Sequence, residues 1–244
     1  MKGIQKLSGN TLKIIGAAAM TLDHIGMILF PSVTVFRIIG RIALPIFAFF
    51  VSEGARYTKN RIKHTLLMLG VGLLCQIAVL IATGEILVNV LITLSMSTVV
   101  CYLIADLKKA LFTDTSWQKR AILTLCLAIS VIGIYALNEI EHIEYGFIGC
   151  MLPPLASLNH MPSEAENFIR RFDRPWISVL LMSIGVLLFA IDTKIPIQFF
   201  ALLSIPILLT YSGKRGGARL KYFFYIFYPA HLVIILAVYM LVNI

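Results

Sequence analysis

Asp23 and His24 stand side by side in AAAMTLDHIGMILFP, residues 17–31, a run otherwise made of side chains that lipid accepts. An ionisable group at the bilayer centre costs about 2.5–3.5 kcal/mol even on lenient scales, so one found there is read as functional by default. His24 follows Lys13 by eleven residues, three helical turns plus roughly 20°, so the two share a face about 16 Å apart along the axis. With Lys13 at the inner rim, His24 falls just past the middle of the membrane. Asp23 points about 100° away from it, since neighbours in a helix do not face each other, and needs a partner of its own.

Arg37 and Arg41, four residues apart on one helical face, are the expected partners, with Arg41 reaching the level of Asp23. The same contact would serve equally as a structural ion pair that fixes two helices. Glu53, near the inner end of that second helix, is expected either to shape the site or, more simply, to face water at the interface. At the far end of the chain, KYFFYIFYPAHL places Lys221, Tyr225 and Tyr228 on a stripe, with His231 three residues further and about 15 Å from Lys221. Pro229 removes a backbone hydrogen bond at that depth. Tyr228 lies too deep for an interfacial aromatic belt. Two imidazoles thus arrive at matched depth from opposite ends of the sequence, and His is the side chain whose proton affinity suits acid–base work near neutral pH.

The elements that must carry these residues are membrane helices. Of 244 residues, 59% are hydrophobic and 14% charged, with a mean hydropathy of +0.90, against about 25% charged in soluble domains. Runs long enough to cross about 30 Å of hydrocarbon predict an all-α polytopic bundle of about nine transmembrane helices. They fall near 12–31, 36–54, 64–83, 86–106, 120–138, 145–160, 176–192, 196–211 and 222–243. The sixth and eighth are short and carry Pro153, Pro154 and Pro206, so they are expected to be tilted, broken or partly re-entrant. No small-x-small cleavage pattern follows the first run, which is expected to remain as an anchor. One membrane domain, 1–244, is the simplest organisation.

Charge supports this count. Eighteen of the 21 Lys and Arg fall in alternate connections: the N-terminus with Lys2, Lys6 and Lys13, then 55–63, 107–120, 161–174 and 212–221. The opposite side carries Glu85, Glu139, Glu141, Glu144 and Asp192. The positive-inside rule then gives a cytoplasmic N-terminus and an external C-terminus. The net charge of +9 is read as topology, and no nucleic-acid-reading motif accompanies it. Cys75, Cys101, Cys126 and Cys150 stand singly in apolar segments without ligand spacing, which predicts lipid-facing or core packing residues and neither disulfides nor a metal site.

LDHIGMILFP, FRIIGRIALPIFAFFVSEGARYTKN, VNVLITL, EYGFIGCMLPPL, IQFFALLSIPILLTYSGKRG and LKYFFYIFYPAHL, in that order over nearly the whole chain, resemble the TraX family of membrane proteins, associated with N-terminal acetylation of conjugative pilin. Glu144 stands where that family is expected to carry Asp. The Lys13-x10-His24 spacing is also similar to the basic-x10-His signature of the broader transmembrane acyltransferases. The resemblance implies a multi-pass protein of a bacterial cytoplasmic membrane. It would take an acetyl group from cytoplasmic acetyl-CoA and give it to an external acceptor, a pilin N-terminus or a surface glycan. In that reading Lys13, Lys214, Arg215, Arg219 and Lys221 receive the phosphates of acetyl-CoA at the inner mouth. His24 is the general base, His231 or Tyr228 orients substrate or polarises the carbonyl, and Arg41 and Asp23 hold the constellation. Two other classes use similar parts: a proton-coupled transporter, whose relays are also built from buried Asp, His and Arg, and a non-catalytic subunit of a secretion or pilus apparatus.

Overall fold

The computed structural model describes residues 7–83, 88–141, 143–217 and 220–242. Lys2, Lys6, Glu85 and Arg219 lie outside them, and so does the side chain of Lys221. Among the described residues the chain is helical, with two isolated β-bridges in place of strands. The elements are α1 (Gly9–Ile28), α2 (Thr34–Gly40), α3 (Ala43–Tyr57), α4 (Arg61–Thr83), α5 (Val90–Leu111), α6 (Trp117–Ile140), α7 (Gly146–Ser157), α8 (Asn167–Arg170) and α9 (Pro175–Asp192). A 3-10 helix (Pro196–Leu203), α10 (Ser204–Leu209) and α11 (Lys221–Val242) complete the order. Seven helices or helix pairs are long and apolar enough to cross a membrane: α1, α2 with α3, α4, α5, α6, α9 and α11. This is a multi-pass membrane protein.

Two of the nine expected spans are shorter, and both carry prolines. In α7, Pro153 and Pro154 lack the N–H groups that would return to Gly149 and Cys150. The Cys150 carbonyl is satisfied from outside, by the Ser97 hydroxyl of α5 at 2.7 Å. The segment from Pro196 begins as a 3-10 helix, which rises about 2.0 Å per residue. With α10, its fourteen residues reach roughly 25 Å, further than an α-helix of that length.

The expected single helix over 36–54 is interrupted. α2 stops at Gly40 and α3 starts at Ala43. Pro45 explains the break: it cannot donate to the Arg41 carbonyl, and it is tolerated because it falls in the first turn of α3, where no such bond is required.

The chain forms two compact units, divided within α3 and α9: Met1–Phe47 with Val186–Ile244, and Ala48–Gly185. In the first, α1 packs on α2 and α11, and α2 packs on the 3-10 helix. The second is centred on α5, which packs against α4, α6 and α7. Asn89 caps α5 by accepting from the Leu91 and Ile92 N–H groups, and its amide donates to the Gly72 carbonyl of α4 at 2.7 Å. Glu144 completes the cap, its carboxylate accepting from the Val90 N–H at 2.6 Å. An acidic group at a helix N-terminus is favoured by the aligned peptide dipoles. The four cysteines are free; Cys101 and Cys150 are buried and Cys126 is exposed.

Candidate functional site

The unit built from both chain ends holds Asp23, His24, Arg37, Arg41 and His231. α1 supplies Asp23 and His24 on different faces, and α11 supplies His231. His231 Nε2 lies 2.9 Å from His24 Nδ1, with the ring centroids 5.0 Å apart. His231 is 4% exposed. Its Nδ1 is 2.9 Å from the Phe227 carbonyl, and the Phe227 ring stacks on the imidazole at 5.1 Å, nearly parallel. Tyr228, also buried, meets His231 edge-on at 5.9 Å.

These contacts assign the protons. A carbonyl only accepts, so Nδ1 of His231 carries hydrogen and donates to Phe227. In the neutral ring Nε2 must then accept, and the donor facing it is His24 Nδ1–H. His24 is left with its lone pair on Nε2. A fixed tautomer that keeps one ring nitrogen unprotonated is what a general base requires.

Asp23 is held separately. Its carboxylate accepts from Arg41 Nη2 at 2.5 and 2.7 Å and from Arg37 Nη1 at 2.9 Å. Arg41 is buried at 8%, and its other amino group donates to Gln198 Oε1 at 3.3 Å. The three-way contact requires α1 and α2 to approach closely, and a Cβ at Gly40 would run into the Asp23 side chain. Gly40→Ala is therefore expected to destabilise the protein by roughly 1–3 kcal/mol, the range for overpacking a filled core, read as a lower unfolding midpoint in detergent.

The basic residues expected at the mouth divide. Lys13 is half-buried, with its ammonium 5.9 Å from the centre of the Phe224 ring. Lys214 and Arg215 expose their side chains while their carbonyls accept from the Gly9 and Asn10 N–H groups at 2.8 and 2.9 Å. That clamp brings the 210–217 segment to the start of α1, one turn from Lys13. Lys221 opens α11, and Tyr225 is half-buried on that helix.

Glu53 requires a correction. It does not face water; it is 6% exposed, with Oε1 3.2 Å from His160 Nε2, and it belongs to the other unit. Gln198 and His160 were not singled out in the sequence. Gln198 could have been found as the lone amide in the apolar PIQFFALL. Nothing local marks His160, whose partner is distant in the chain.

The sequence model described as TraX protein matches residues 8–239. The chain belongs to the TraX family. Similar proteins include an uncharacterized protein of Rickettsia prowazekii (strain Madrid E), 29% identical over 163 residues, 61% of this chain and 62% of that one. The match therefore spans about three-fifths of the Rickettsia protein. A probable fimbrial assembly protein FimC, serogroup H1, of Dichelobacter nodosus is 25% identical over 242 residues, 92% of each chain. No solved structure matches this TraX-family chain. The match begins at the N-cap residue of α1 and ends within α11, so it includes both histidines.

Proposed function

We propose that this TraX-family protein is a transmembrane acetyltransferase that moves an acetyl group from cytoplasmic acetyl-CoA to an amine or hydroxyl presented on the external side. The observation that carries the reading is the 2.9 Å approach of His24 Nδ1 to His231 Nε2, which in the tautomer set by Phe227 leaves the His24 lone pair on Nε2. Acetyl-CoA supplies an activated acyl group, and Lys13, Lys214 and Arg215 would receive its phosphates. His24 takes the proton from the acceptor as it attacks and returns it to the departing thiolate, so the ring ends neutral. His231 holds the His24 tautomer, and Asp23 with Arg37 and Arg41 fixes the α1–α2 frame. In this reading α7 and the 196–209 segment complete nine passages, with the N-terminus cytoplasmic, the C-terminus external and the basic connections inside.

A second reading rests on the Dichelobacter relative, whose name assigns it to fimbrial assembly: a membrane subunit of a pilus apparatus without chemistry of its own. The test is protein in nanodiscs supplied with acetyl-labelled acetyl-CoA and a pilin N-terminal peptide, a glycan or water as acceptor. Release of free CoA with label moving to the acceptor is the expected result. No release with any acceptor favours the assembly role, and a substrate-driven pH gradient in liposomes lacking CoA favours a proton-coupled transporter.

A further inference from the structure

The 48–185 unit contains a cavity of about 230 Å³, formed by the ends of α3, α4 and α5 and the chain that follows α7. Ser52, Arg56, Arg61, Lys109 and His160 line it, together with the carboxylates Asp106 and Glu164. Ser52 is 1% exposed, and among the described residues its hydroxyl has no hydrogen-bond partner; His160 Nε2 also lacks a satisfying bond, despite its approach to Glu53. Buried polar atoms left unpaired are rare enough to point to a bound water, ion or ligand.

The cations differ in how firmly they are held. Arg56 is fixed by both oxygens of Asp173 at 2.6 and 2.7 Å. Arg61 with Asp106 and Lys109 with Glu164 form single contacts at 2.6 and 3.1 Å between side chains 31–61% exposed. Pairs this exposed contribute little, so their cations are available to a better ligand. The segments around the cavity, 53–63, 106–120 and 160–174, hold eleven Lys and Arg against six Asp and Glu, a surplus that draws anions.

We propose that this cavity binds a phosphate monoester. A dianionic tetrahedral group takes charge-assisted hydrogen bonds from Arg61 and Lys109, and the Ser52 hydroxyl and the His160 ring give it donors at the buried end. The cavity is smaller than the roughly 300–1,000 Å³ that encloses whole cofactors, so it takes the phosphate and its point of attachment. Two sources share this chemistry: the 3′-phosphate of CoA and a separate phosphorylated metabolite. The site uses none of the residues of the His24–His231 centre and stands or falls separately from the acetyl-transfer reading.

The test is equilibrium binding of labelled inorganic phosphate to the full chain in nanodiscs, with sulfate at equal ionic strength as control. Saturable binding is expected in the parent, weakened at least tenfold in Arg61→Gln/Lys109→Gln and unchanged in Lys194→Gln, an exposed lysine outside both sites. If the double variant does not fold, Ser52→Ala and Arg61→Lys give the same comparison. Competition by CoA but not dephospho-CoA would support the site and identify a 3′-phosphorylated nucleotide as its ligand; competition by neither, with phosphate still bound, would support it with a separate metabolite. Absent or unsaturable binding, equal affinity in parent and variants, or equal displacement by sulfate would overturn the proposal.

Discussion

His24→Ala is expected to lose at least about a hundredfold in acetyl transfer, because a positioned general base is worth about 10²–10⁴. The measurement is single-turnover release of CoA, with folding checked by an unchanged unfolding midpoint. His231 separates positioning from catalysis. His231→Ala leaves the His24 tautomer unfixed and should lower kcat with little change in KM. His231→Gln, whose amide oxygen accepts where Nε2 did, should recover part of the rate. A His24→Ala variant as fast as its parent would remove the base assignment; His231→Gln no better than His231→Ala would remove the tautomer argument.

Asp23→Ala is expected to produce the largest loss of stability of any single change, about 3–5 kcal/mol, because it leaves the buried Arg41 guanidinium without its counter-charge. Arg41→Met should cost less, since Asp23 keeps Arg37 at 2.9 Å. The double variant Asp23→Ala/Arg41→Met should be more stable than the sum of the single losses predicts, the mark of two groups that share one interaction. Denaturant unfolding in detergent gives all three values. An Asp23→Ala protein within about 1 kcal/mol of the parent, the range of exposed pairs, would show that the carboxylate is not effectively buried.

What was legible in the sequence is what helical arithmetic controls. A fixed rise per residue placed His24 and His231 at matched depth, and a fixed rotation turned Asp23 away from His24 and brought Arg37 and Arg41 onto one face. Span length was legible wherever apolar runs were uninterrupted. Pro45 was visible as a residue, but a helix break depends on which carbonyl loses its donor, and that was read only from the structure. The 3-10 segment has nearly the periodicity of an α-helix, so an apolar pattern does not distinguish them. Glu53 with His160 and Arg41 with Gln198 join residues more than a hundred positions apart, for which neither period nor spacing carries a signal.

The unit with the two histidines is assembled from the first 47 residues and the last 59, whereas its companion is one uninterrupted stretch. Synthesis on the ribosome therefore imposes an order. The middle of the protein can close while translation continues, but α1 must sit in the bilayer with His24 and the Asp23 carboxylate unmet until the remaining partners emerge. Arg37 and Arg41 come almost at once; Gln198 and then His231 come last. A nascent chain arrested before α11 would carry an ion-paired first hairpin and an imidazole waiting for its neighbour.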